Sequence, residues 1–421
     1  MRSILQYLLK ILSQIVLWKY RPEIVAVSGS VGKTTAKEAI YTILKAHFRA
    51  RRNLENYNNE IGVPLAILGL ETGGRSIKKW LKIFLKALAV IIFKTEYPEI
   101  LVLEMGADKP GDLGYLLSFV PIKIGVITAI GEFPVHLEFF PEKDALIEEK
   151  SSLVKSLPRK GLAVLNYDDL SVRMMRENIS SGAQIISYGF GQGADLKIMN
   201  YELKIKNLEE KDFGVNFKLE NKGSMVPIRL KKCLGKQQAY AAAAAAAVGL
   251  NFGLNLVNIS AGLEKFRPLP GRTNLIRGIK KTWIIDDTYN ASPSSVIAGL
   301  EILNQFQPKR KIAVLGDMLE LGEKTEEAHR RVGREAFLTA DLLLLVGERA
   351  RFIADEMKKN GFSEEKIFEF DSAEKAGLAL QEKLEAGDII LIKGSRAMRM
   401  EKIVKEIMAF PEKVSKILVQ I

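Results

Sequence analysis

The stretch EIVAVSGSVGKTTAKEAIYTILKAHF, residues 23–48, admits few folds. Ile24 to Val27 are apolar without alternation, the pattern of a strand covered on both faces. Gly29 and Gly32 then let the backbone turn its N–H groups inward around an anion. The amphipathic segment that follows predicts a helix whose N-terminus adds a favourable dipole at the same point. Ser30, Lys33, Thr34 and Thr35 complete a phosphate loop, in which Lys33 can reach terminal phosphates and the Thr34 hydroxyl can ligate Mg²⁺. The loop is shorter than the usual G-x-x-x-x-G-K-[ST], because Val27 stands where the first glycine would be. A nucleotide-binding α/β domain is the expectation.

The rest of the chain extends that fold. Strand-like runs recur at 99–106, 122–131 and 161–169, with helical patterns between them, which predicts a mostly parallel sheet. Glu104 closes the run ILVLE at the carboxyl end of its strand, where ligand sites gather, and is a candidate for the metal. Residues 195–230 alternate at period two, as a small antiparallel meander does. The run AYAAAAAAAVGL predicts a helix able to pack closely. RPLPGRTN, 267–274, is the expected domain boundary, and beyond it βα units resume in a Rossmann-like C-terminal domain. The expected organisation is an N-terminal helix (1–22), a P-loop central domain (23–270) and a C-terminal α/β domain (271–421).

Two basic amphipathic helices are expected at 2–20 and 75–94. In the first, Ile4, Leu5, Leu8, Leu9, Leu12, Ile15 and Val16 follow helical spacing. In the second, Trp80, Leu81, Phe84, Leu85 and Leu88 share a face opposite Lys78, Lys79, Lys82 and Lys86. Each could pack on the core or lie in a membrane interface, and neither is long and apolar enough to span a bilayer. A net charge of +12 suits anionic partners such as a nucleotide or an acidic membrane surface. The single Cys233 excludes an intramolecular disulfide and suits a reducing compartment.

Read in order, SGSVGKTT, NYNNEIGVP, EMGADKPGD, HLEFF, GRTN, DDTYNASP, LGDMLELGE and KGSR resemble the Mur ligases, over roughly residues 23 to 408. The resemblance implies an ATP- and Mg²⁺-dependent carboxylate–amine ligase working through an acyl phosphate in peptidoglycan precursor synthesis, with D-alanyl-D-alanine addition to a muropeptide as the expected reaction. It implies that Lys33 and Thr34 hold phosphates and Mg²⁺, and that Glu104 and His136 support the metal. Lys150 matches a lysine that becomes carbamylated and then ligates metal. Asn56, Asn58 and Asn59 border the reacting groups, with Asn59 catalytic. Arg272, Asp287, Tyr289 and Asn290 complete the nucleotide site, and Lys393, Ser395 and Arg396 face the incoming amino component.

The chain also departs from the family pattern. About 22 residues precede the first strand, too few for the family's uridine-nucleotide-binding domain. The helix at 75–94 looks inserted, and Gln237, Gln238 and Ala241 stand where the family places asparagines near adenine. The expected partners are a small-molecule or lipid-linked muropeptide and an amine, with peripheral membrane contact through 2–20 and 75–94. Nucleic acid is not expected. The expected location is cytoplasmic, at the inner face of the membrane. A ligase acting on another peptide or polyglutamate acceptor, or a nucleotide-binding scaffold without catalysis, are the alternatives.

Overall fold

A computed structural model describes residues 2–54, 57–179, 182–209 and 212–419. The central lobe opens with α1 (Arg2–Tyr20), β1 (Glu23–Ser28) and α2 (Lys33–Leu44), followed by β2 (Ala50–Arg52), α3 (Gly62–Leu68) and α4 (Ile77–Ile92). It continues through β3 (Ile100–Glu104), α5 (Asp112–Leu117), β4 (Ile124–Ile127), α6 (Lys143–Lys155), β5 (Leu162–Asn166), α7 (Leu170–Met174) and β6 (Gln184–Gly189). The hairpin strands β7 (Leu196–Asn207), β8 (Asp212–Asn221) and β9 (Ser224–Lys231) lead into α8 (Lys236–Asn251) and α9 (Leu256–Leu263).

These strands form one nine-stranded sheet in the order β2-β3-β1-β4-β5-β6-β7-β8-β9. The pairs from β2 to β7 are parallel, and β7–β8–β9 run antiparallel. The meander therefore extends the main sheet rather than standing apart from it. Strand β1 lies between β3 and β4, and Val27 pairs with Glu104. Parallel register thus brings the loop after β1 beside the end of β3.

Both faces of β1 are buried. Val25 and Val27 pack with α2, α8 and α9, whereas Ile24 and Ala26 face α1, α3, α5 and α6. The alanine run of α8 is buried against α2 and the sheet. Methyl groups there let helix and sheet approach closely, which longer side chains would prevent.

The two amphipathic helices divide their apolar residues between faces. Leu9, Val16 and Leu17 of α1 enter the central core, while Ile4, Leu8 and Ile15 are exposed. In α4 the core face is Ile83 and Ala87, with Trp80 and Phe84 packed beside them; Leu81, Leu85 and Leu88 point to solvent. The sequence-based grouping of Trp80 and Phe84 with those three leucines is corrected here. On a helical wheel the two apolar arcs are adjacent, and spacing alone does not say which of them is buried.

We take 271–421 as the second lobe. It carries β10 (Asn274–Arg277), β11 (Trp283–Asp286), α10 (Pro293–Gln305), β12 (Arg310–Gly316), α11 (Thr325–Phe337), β13 (Leu342–Val346), α12 (Arg351–Lys359), β14 (Ile367–Phe370), α13 (Ala373–Lys383), β15 (Asp388–Lys393) and α14 (Glu401–Ile407). Its sheet order is β10-β11-β15-β12-β13-β14, parallel except for β10. Apolar side chains bury both faces of this sheet too.

Candidate active site

The carboxyl ends of the two sheets face one cleft of about 490 Å³. On the central side, Gly29 has φ +140° and Gly32 φ +86°. A Cβ at Gly29 would collide with the Thr128 hydroxyl, so only glycine fits where the loop crosses β4's exit. The Lys33 ammonium donates to the carbonyl oxygens of Gly29 at 2.8 Å and Ser30 at 3.3 Å, folding back over the loop. Burial lowers its pKa, with Glu104 and Asp108 acting in the opposite direction. The Ser30 hydroxyl is buried with no hydrogen-bond partner.

Glu104 is held at both ends. The Asn53 side chain accepts from its N–H and donates to its carbonyl oxygen, each at 2.9 Å. Asn58 donates to its Oε1 at 3.2 Å, and the fully buried Lys37 ammonium lies 3.6 Å from Oε2. Burial opposes the charge, but Lys37, Lys33 and Arg272 outweigh it and hold the carboxyl below its ordinary pKa. Lys150 is the contrasting case. It is fully buried on α6, its Nζ has no hydrogen-bond partner, and burial together with repulsion from Lys33 lowers its pKa to about 7.

The second lobe supplies the opposite wall. Arg272 donates from Nη2 to Thr34 Oγ1 at 3.0 Å, and its guanidinium lies over the Tyr289 ring at 3.9 Å. Asp287 accepts from Thr273 N–H at 3.1 Å and pairs with Lys393 at 2.5 Å. Lys393 also donates to the Asn290 carbonyl. Beneath them the buried Asp286 accepts from Gly271 N–H and the Thr288 hydroxyl, while burial pushes its pKa up to about 6. His136, in the left-handed region at φ +71°, has Nδ1 2.8 Å from Glu320 and Nε2 3.5 Å from Asp108. Glu138 N–H donates to the Glu320 carbonyl, so this contact also joins the lobes.

The fold thus brings together Ser30, Gly32, Lys33, Thr34, Thr35, Asn58, Glu104, His136, Arg272, Asp287, Tyr289, Asn290, Lys393 and Arg396 around the cleft. Lys150 lies buried behind it. Two expected residues point elsewhere. Asn59 accepts from Ile61 and Gly62 N–H groups at the start of α3 and lines a neighbouring hollow. The Ser395 hydroxyl accepts from Leu319 N–H. Asn56 lies outside the described residues. Glu320, Asp108 and Lys37 were not singled out from the sequence, although EMGADKPGD and LGDMLELGE contain the first two.

A second hollow of about 240 Å³ opens beside Val31 and Gly32, lined by Asn166, Tyr188 and Tyr240 among others. The Tyr240 hydroxyl donates to Asp168 at 2.7 Å. Among the described residues, no group of three or more His, Cys, Asp or Glu side chains could hold a metal ion. An ionised Glu104 and the Thr34 hydroxyl instead suit a cation shared with phosphates, which the backbone N–H groups of the loop suit in turn.

A family model described as the Mur ligase middle domain matches residues 27–249, and one described as Mur ligase, glutamate ligase domain matches 271–396. The chain is 29% identical over 394 residues to the UDP-N-acetylmuramoyl-tripeptide--D-alanyl-D-alanine ligase of Bacillus subtilis, covering 92% of this chain and 76% of that one. The Escherichia coli protein of the same name is 28% identical over 387 residues, covering 91% and 76%. The crystal structure of the MurF ligase from Thermotoga maritima in complex with ADP superposes with a TM-score of 0.75 at 26% identity, over 98% of this chain and 84% of that one. Mycobacterium tuberculosis folylpolyglutamate synthase complexed with ADP, at 16% identity, TM-score 0.66 and 94% coverage of each chain, shares the fold alone.

Proposed function

The chain belongs to the Mur ligase family, and on that premise we propose that it is an ATP-dependent peptide ligase that joins D-alanyl-D-alanine to a UDP-linked muramoyl-tripeptide. The observation that carries this reading is the Arg272–Thr34 hydrogen bond, which closes the phosphate loop of one lobe against the Asp287–Lys393 wall of the other. The relatives' names supply the substrates. The polyglutamate alternative rests only on a shared fold.

In the mechanism, the tripeptide's terminal carboxylate attacks the γ-phosphorus of ATP, giving an acyl phosphate and ADP. The amine of D-alanyl-D-alanine then attacks the acyl carbon, the C–O bond to phosphate breaks, and the nitrogen loses a proton. Both steps crowd anions together, so positioning and charge stabilisation supply most of the acceleration. Lys33 and the loop N–H groups bind the phosphates, and Arg272 adds positive charge from the other lobe. Tyr289 keeps the Arg272 plane in place, and Asn58 fixes the Glu104 carboxylate. The hollow beside Tyr240 suits the adenine, with Ala241 leaving room where relatives would carry an asparagine. Lys393 and Arg396 suit the carboxylate of the incoming dipeptide.

Thr34 and Glu104 would hold Mg²⁺ together with the phosphates, and His136 lies within the same cleft. When bound, Mg²⁺ screens the negative charge of the triphosphate. A pKa near 7 leaves much of Lys150 neutral, and a neutral amine can attack CO₂ and lose a proton to become a carbamate. The modified side chain would be anionic, the charge a further ligand for Mg²⁺ requires. The substrate roles expected for Asn56 and Ser395, and the catalytic role expected for Asn59, stand only as proposals.

Phosphate release from ATP tests the reading, measured with UDP-muramoyl-tripeptide and D-alanyl-D-alanine, together and singly. Release and amide product that require both are expected. Release indifferent to either substrate would make the protein an ATPase and overturn the assignment.

A further inference from the structure

Two helices outside the cleft expose apolar side chains that no part of the described chain covers. On α4, Ile77, Leu81, Leu85, Leu88 and Ile92 are exposed, at 82, 61, 60, 44 and 69%. At 100° per residue these five fall within one narrow arc. It is separate from the arc of Ile83 and Ala87, which is buried in the core. Lys78 and Lys82 border the exposed arc, and Lys79 and Lys86 follow behind them. On α1, Ile4, Tyr7, Ile15 and Trp18 form a second exposed stripe, with Trp18 74% exposed.

The two helices are fastened to each other. Lys19 of α1 donates to the carbonyls of Val90, Ile91 and Phe93, at 3.1, 2.9 and 2.6 Å, satisfying the C-terminal end of α4. The Tyr20 hydroxyl adds a bond to Val90 at 2.9 Å. At the other end, Ser76 caps α4 by accepting from Lys79 N–H. None of the residues lining the cleft comes from α1 or α4.

Charge decides what covers this face. Residues 1–22 and 72–95 together carry ten Lys and Arg and no Asp or Glu. The whole chain has 62 basic and 50 acidic residues, so the remainder holds 52 against 50. Nearly all of the molecule's excess charge is concentrated here. Among the described residues, no carboxylate pairs with Lys78, Lys79, Lys82 or Lys86. The core of a protein–protein interface is depleted of lysine. Lysines flanking an apolar stripe instead suit a lipid interface, where stems lie along acyl chains and ammonium groups reach phosphates. No helix of the described residues is long and apolar enough to cross a membrane, which leaves binding in the plane of the surface.

We propose that α1 and α4 form a platform that seats the protein on an anionic lipid bilayer, with the α4 stripe inserted among the acyl chains and its lysines at the phosphate level. This goes beyond the ligase reading, and its test needs no ligation. The full chain is floated with vesicles of phosphatidylcholine alone, and with vesicles of equal parts phosphatidylcholine and phosphatidylglycerol. Flotation with the anionic vesicles only, weakened by raised salt, is expected. The L81E/L85E/L88E variant should stay at the bottom of the gradient while keeping the far-UV circular dichroism of the parent. The K78Q/K79Q/K82Q/K86Q variant should partition less by about fivefold for each lysine that lies at the surface. Trp18 emission should shift to the blue on anionic vesicles, and that change should be absent in W18F. Equal flotation with neutral vesicles, or flotation unchanged by the triple glutamate variant, would overturn the proposal. So would a chain that ignores vesicles and self-associates in sedimentation through this face, since the occupant would then be a second copy.

Discussion

The two walls of the cleft are built by opposite means. The central wall comes from one run of chain, residues 29–37, and from Glu104 on the neighbouring strand. Parallel register delivers both to one place, and the charges are locked into the lobe: Lys37 and Lys150 are fully buried. The opposing wall gathers three distant segments, 271–273, 287–290 and 393–396, tied together by Asp286, Asp287 and Lys393. It meets the central wall through Arg272 and Glu320. The difference separates stability from turnover. A group locked inside one lobe supports both, whereas a group acting across the gap supports turnover alone.

The largest expected effect lies on the central wall. Lys37→Met removes the cation facing Glu104 and Glu38, leaving Glu104 buried without its partner. Breaking one side of a buried pair costs about 3–5 kcal/mol, so urea unfolding should show a lower midpoint and turnover should demand more Mg²⁺. Unchanged unfolding would show that the wall is not locked as described. Lys33→Ala comes next. Losing a donor aimed at developing phosphate charge should lower kcat by about 10²–10³-fold, with a much smaller effect on unfolding. Equal kcat in the variant and the parent would remove Lys33 from the chemistry.

The same contrast explains what could be read from the sequence. The phosphate loop is contiguous, and its glycines, lysine and threonine carry their geometry in their spacing. Apolar runs gave the strand ends, and with them Glu104. Most of the opposing wall was legible only through the family resemblance, because nothing local to GRTN, DDTYNASP and KGSR says that they meet. Asn59, expected beside the reacting groups, engages the local backbone instead, its side-chain oxygen accepting from the Gly62 N–H at the start of α3. Lys37 escaped notice because a lysine one turn into an amphipathic helix ordinarily points to water. Only the fold reveals that this one faces Glu104.

Arg272→Ala sharpens the comparison from the other side. The Arg272–Thr34 bond spans the gap, and a hydrogen bond to a charged group contributes about 1.5–3 kcal/mol. Turnover should fall by about ten- to a hundredfold, while urea unfolding of the purified variant matches the parent. A matching loss in stability would mean that Arg272 is part of a lobe's core, and the division between the walls would fail.

The smallest effect concerns how the opposing wall is held. His329, fully buried on α11, accepts from Met318 N–H at Nε2 (3.1 Å), and its Nδ1 lies 2.6 Å from the Thr325 carbonyl. Those partners require the neutral ring with its proton on Nδ1, since a protonated Nε2 would confront the Met318 N–H. Burial, with Arg349 adding to it, outweighs the Thr325 carbonyl and lowers the pKa to about 4. The unfolded chain binds this proton near pH 6.5 and the folded chain does not until about pH 4, so the contribution is complete above about 6.5 and is lost as pH falls toward 4. Between pH 7 and pH 5 the loss is about 2 kcal/mol. His329 anchors the turn that carries Glu320 to the cleft, while Asp286 in the same lobe, raised to about 6, gains stability over the same range, so the His329 contribution is read from the difference between parent and variant. Urea unfolding at both pH values, in the parent and in His329→Gln, checks this: the variant should lose less stability on acidification. An identical loss in both would place the acid sensitivity elsewhere and leave the two walls equally robust.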